Sequence, residues 1–98
     1  MLRLEVDNMK FKFMRISAFD KNDIIDEASP LYTKEYSVHT FMIEGIYSDS
    51  PYEMSKSVIA YWMATHIKEA TLLELGFKVE LFSGNSKRPV FTHRTYRQ

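Results

Sequence analysis

The sequence predicts an α+β fold: an antiparallel sheet of four to five strands with one long helix packed on one face, in the order β-β-β-α-β-β. Three observations point there. Apolar and charged residues alternate near both ends of the chain, in Leu2-Arg3-Leu4-Glu5-Val6-Asp7 and in Phe77-Lys78-Val79-Glu80-Leu81, the period of a strand with one buried face. Between them, Ser50-Pro51-Tyr52-Glu53 places a capping serine, a proline that needs no donor and a glutamate able to reach back, together a helix start. The chain has 98 residues, 45% of them hydrophobic and 14% aromatic; this suits one domain, residues 1–98, with a core of its own and argues against disorder.

Taken in order, Leu2 to Val6 reads as a strand, and Asp7-Asn8 offers a turn. Met9 to Phe19 carries Phe11, Phe13, Met14, Ile16 and Ala18, too many apolar residues for a strand wet on one side unless it is bulged. Met1 to Phe19 is therefore either a hairpin or one bent strand. Asp20 to Glu35 lacks alternation and contains Asn22, Ser29 and Pro30, so it reads as an acidic connecting loop with room for a helical turn or two at Asp23 to Ala28. Tyr36 to Tyr47 is rich in β-branched and aromatic types and reads as a central strand. The helix from Pro51 is expected to reach about Leu75, with Gly76 at its left-handed cap. Its stripes Met54-Val58-Tyr61-Trp62-Leu72 and Ile59-Met63-Ile67-Ala70 make an apolar arc wider than a sheet-packed helix needs. Phe77 to Leu81 and Val90 to Tyr96, separated by Ser83-Gly84-Asn85-Ser86, form a hairpin.

Charge is balanced overall, 13 basic against 13 acidic residues, but segregated along the chain. Asp20, Asp23, Asp26, Glu27, Glu35, Glu44, Asp49 and Glu53 face only Lys21 and Lys34, whereas Lys87, Arg88, Arg94 and Arg97, with His93 among them, lie in a tail without acids. If the signs stay apart on folding, each patch steers its own partner.

Catalytic and metal signals are weak. With no cysteine, thiolate chemistry and disulfides are excluded. His39, His66 and His93 have no partner at ligand spacing. Asp20-Lys21-Asn22-Asp23 opens like a calcium loop, yet Ile25 stands at the glycine place and Leu31 at the terminal glutamate place. Neither a nucleophile elbow nor a phosphate-cradling glycine loop can be built from Gly45, Gly76 and Gly84. No catalytic residue, metal or cofactor is expected. The start lacks the apolar region of a signal peptide, and no apolar run nears the ~20 residues of a membrane span, so a soluble cytoplasmic protein with no membrane partner is expected.

The functional expectation is a small non-catalytic binding protein that recognises, and inhibits or regulates, a larger protein or nucleoprotein complex. Asp20, Asp23, Asp26, Glu27 and Glu35 would be its acidic contact surface, unless they only solvate a loop. A viral or mobile-element accessory protein acting against a host nuclease or defence complex is one concrete form. The alternative is a nucleic-acid-binding module that uses Lys87, Arg88, His93, Arg94, Tyr96 and Arg97, where cations interleave with rings. Against it stands the plainer account of an edge strand guarded by positive charge. A homodimer through the apolar arc or a strand edge is a further expectation.

Overall fold

In a computed structural model, which describes residues 12–48, 50–84 and 87–96, the apolar run after Lys12 becomes the central strand of the sheet. This β1 (Phe13–Asp20) pairs antiparallel with β2 (Tyr32–Ser37) on one side and β3 (Leu75–Phe82) on the other; β4 (Phe91–Arg94) adds to β3, giving the order β2-β1-β3-β4. A strand with neighbours on both edges and cover on both faces needs apolar residues on both. That is why Met14, Ile16 and Ala18 are buried on one face, and Ser17 and Phe19 on the other. The expected strand at Leu2 to Val6 and the turn at Asp7-Asn8 lie outside the described residues.

The helical layer is α1 (Val38–Glu44), α2 (Pro51–Thr65) and α3 (Ile67–Leu72). Met54, Val58 and Trp62 of α2, spaced by four, are buried against Met14, Ile16, Phe77, Val79 and Leu81. Each such side chain contributes about 1.5–3 kcal/mol of hydrophobic stabilisation. Ser50 caps α2 as expected, its hydroxyl accepting from the Glu53 N–H at 3.2 Å, with Pro51 in the first turn.

Two expectations are corrected. Tyr36 to Tyr47 is not one strand: only Tyr36 and Ser37 belong to β2, the Ser37 side chain accepts from the Thr40 N–H and starts α1, and Gly45 closes it in the left-handed region at φ 75°. Two caps and one buried anchor, Phe41, outweigh β-propensity here. The long helix is also not continuous to Leu75. It ends at Thr65, His66 leaves helical geometry at φ −117° and ψ 52°, and α3 stops at Leu72, with Leu73 already extended. Gly76 therefore caps nothing; it sits inside β3, opposite Phe19. The expected wide apolar arc is correspondingly divided: Met54, Val58 and Trp62 are core, whereas Met63, Ile67 and Leu72 are exposed.

Strand pairing places Tyr32, Tyr36, Phe91 and His93 on the helix-covered face and Thr33, Glu35, Thr92 and Arg94 on the other. That second face is crossed by residues 21–31, which connect β1 to β2. No helix among the described residues is long and apolar enough to cross a membrane.

Candidate functional site

The 21–31 loop folds by local turn chemistry. Asp20 Oδ1 accepts from the Asn22 N–H and Asp26 Oδ1 from the Ala28 N–H, both at 3.0 Å, so these short acids serve as side-chain turn formers. The Lys21 N–H donates to the Glu74 carbonyl and the Leu31 N–H to the Ala18 carbonyl, each at 2.8 Å, tying both ends of the loop to the sheet region. The held loop delivers Glu27 onto the sheet.

There its carboxylate meets three donors. Arg94 Nε lies 2.6 Å from Oε2 and its Nη2 3.0 Å from Oε1; the Tyr96 hydroxyl donates to Oε2 at 2.5 Å, and Lys78 Nζ stands 3.4 Å from Oε1. A two-pronged guanidinium contact is the strongest of the common ion-pair geometries. The Arg94 hydrogen bond outweighs the cost of burial and, with Tyr96 and Lys78, holds the Glu27 carboxyl well below the usual carboxylate range, at about 2. Burial and the bond to Glu27 push the Tyr96 hydroxyl above its ordinary value, and Glu27 raises Arg94. Ring contact fixes Tyr96 as well, since it meets Phe19 edge-on at 5.6 Å and lies over Gly76, where a Cβ would stand 2.8 Å from its Cδ1.

A second ion cluster occupies the same face further along the strands. Arg15 pairs with Glu35 at 3.1 Å, reaches Glu80 at 3.8 Å and lies over the Phe82 ring at 4.7 Å. Charges that are apart in the sequence thus meet across the sheet. The expected separation of an acidic from a basic patch fails at Glu27 and Arg94, because loop and hairpin share one face.

The expected acidic surface divides accordingly. Glu27 and Glu35 are engaged by cations, Asp20 and Asp26 brace turns, and Asp23 is exposed. Ile25, between Asp23 and Asp26, is 86% exposed, and with Ile24 and Leu31 it borders an open hollow of about 270 Å³.

The expected nucleic-acid residues are not gathered into one surface. Arg94 and Tyr96 point to Glu27, whereas His93 lies on the helix side, edge-on to Tyr52 at 5.1 Å. Lys87 and Arg88 are exposed in the β3–β4 connection, and Arg97 lies outside the described residues. Along β4, Thr92 and Arg94 alternate with Phe91 and His93. Sequence patterning does not single out Lys78, Arg15 or Glu80 as site residues, although strand parity puts Lys78 on the face of Arg94. Among the described residues β2 and β4 are the edges of the sheet. No group of three or more histidines and carboxylates among the described residues is placed to hold a metal ion.

Comparisons with protein-family models, curated proteins and solved structures gave no match to this chain.

Proposed function

We propose that the protein is a small non-catalytic binding protein that docks on a larger protein or nucleoprotein complex through its 20–31 loop and thereby inhibits or regulates it. The observation that carries this reading is Ile25: the most exposed of the large hydrophobic side chains described, at 86%, it stands on a turn-braced loop between Asp23 and Asp26. An apolar group rimmed by acids matches the anatomy of an interface, where an apolar centre supplies the energy and rim charges select the partner. The proposed contact set is Asp20, Asp23, Ile25, Asp26 and Leu31. Glu27 and Glu35 are left out because their oxygens are already held within the fold. Proteins that handle nucleic acid present basic grooves, so they are the partner class this rim suits.

The test is capture by the folded chain with a photocrosslinking group next to Ile25. A partner joined to wild type and lost in Ile25→Ala and Asp23→Lys supports the reading; capture indifferent to both changes removes it.

A further inference from the structure

Beside the Glu27 ion cluster lies a shallow, open concavity of about 640 Å³, lined by Lys21, Arg94, Thr95 and Tyr96. Among the described residues two cations, a hydroxyl and an aromatic ring line it, with no carboxylate. Lys21 makes no ion pair among the described residues and is exposed. Arg94 and Tyr96, by contrast, spend their donors on Glu27. A carboxylate held by a guanidinium fork, a phenol and an ammonium occupies the position that a phosphodiester takes in protein–nucleic acid contacts, where Arg forks and Lys point charges bind phosphate oxygens.

We propose that the Lys21–Arg94–Tyr96 concavity is a phosphate subsite for single-stranded nucleic acid, and that Glu27, a built-in stand-in for phosphate, competes with the ligand for the Arg94 and Tyr96 donors. The ligand is single-stranded because the hollow is shallow and one of its walls is a tyrosine ring, on which an unpaired base can stack while Lys21 and Arg94 hold the backbone. Asp23 and Asp26, carried by the same loop as Glu27, and Asp20 at the end of β1 add a repulsive field that weakens binding while the loop is seated. The inference does not depend on docking through Ile25: it concerns a different set of residues, and its test contains no protein partner.

The experiment measures fluorescence anisotropy of labelled oligothymidylate with wild type and Glu27→Gln, at about 50 and about 200 mM salt. Glu27→Gln is expected to bind at least about tenfold tighter than wild type, and its affinity to fall about seven- to twentyfold across that salt range, as two or three single-strand phosphate contacts require. Lys21→Glu in the Glu27→Gln background should remove the gain, and an abasic oligomer with the same phosphates should bind more weakly. Unchanged affinity in folded Glu27→Gln overturns the proposal, as does a gain that Lys21→Glu leaves intact; equal binding of the abasic oligomer overturns the nucleic-acid assignment. Should Glu27→Gln not fold, wild type at low salt is decisive: binding weakened by Lys21→Glu supports the subsite, and no binding refutes it.

Discussion

Glu27 and Arg94, 67 residues apart in the chain, form a two-pronged ion pair that fastens the β1–β2 loop to the last strand. Arg94 is 40% exposed and the Glu27 side chain 17%, so solvent screens the pair and it contributes about 1–2 kcal/mol rather than the value of a dry pair.

The pair gives stability an acid-sensitive component. The Glu27 carboxyl sits at about 2 in the folded chain, below its ordinary 4.5, so the unfolded chain takes up its proton first as pH falls. The contribution is complete above about pH 5 and fades between about pH 4.5 and 2. Urea unfolding of wild type and Glu27→Gln should therefore differ at pH 7 and converge toward pH 2; a pH-independent difference would contradict the assignment.

Gly76 and Tyr96 should behave as a coupled pair. Gly76→Ala places a methyl group 2.8 Å from Tyr96 Cδ1, so the ring must move and loosen its bond to Glu27. A loss of about 1–3 kcal/mol is expected in Gly76→Ala. In Tyr96→Ala the same substitution should cost much less, because the obstructing ring is gone. A thermodynamic cycle by denaturant unfolding reads this, and additive losses would count against it.

At Gly45 the cost is in the backbone alone. Among the described residues no atom beyond its chain neighbours lies within 4 Å of a Cβ built there, but φ is +75°. Gly45→Ala should lose about 1–2 kcal/mol, and Gly45→Asn less, since asparagine tolerates the left-handed region. Equal losses in thermal unfolding would contradict a backbone origin.

Trp62 is 2% exposed and meets His66, Phe77 and Tyr32 at ring distances of 4.5, 5.4 and 5.8 Å. Trp62→Ala should cost about 3–5 kcal/mol. Trp62→Phe should cost less while abolishing the tryptophan fluorescence of the native state, this being the single tryptophan. A near-neutral Trp62→Ala would mean that the ring is not the centre of the core.

Local signals in the sequence carried much of the architecture. Ser50-Pro51 fixed the start of α2, and alternation around Phe77 and Phe91 found the β3–β4 pair, because capping and strand period act over a few residues. Tyr36 to Tyr47 misled for a physical reason: β-branched and aromatic residues fill a helix as well as a strand when caps demand it. Ser37 and Gly45 were the legible warnings. The stop at His66 has no comparable local mark. The Glu27–Arg94 contact was hidden for another reason, since an ion pair across 67 residues depends on which face the loop crosses, and segregation along the chain says nothing of that. In the sequence Ile25 is one apolar residue in an acidic loop; only its exposure singles it out.

The docking reading is tested most directly by photocrosslinking capture compared across Ile25→Ala, Asp23→Lys, Asp26→Asn and, as a control on a different surface, Val90→Ala. Asp26→Asn keeps the turn-forming oxygen while deleting the charge, which separates recognition from loop folding. The account predicts one partner held by wild type and Val90→Ala, weakened in Asp26→Asn and lost in Ile25→Ala and Asp23→Lys. Equal capture by all five proteins would contradict it.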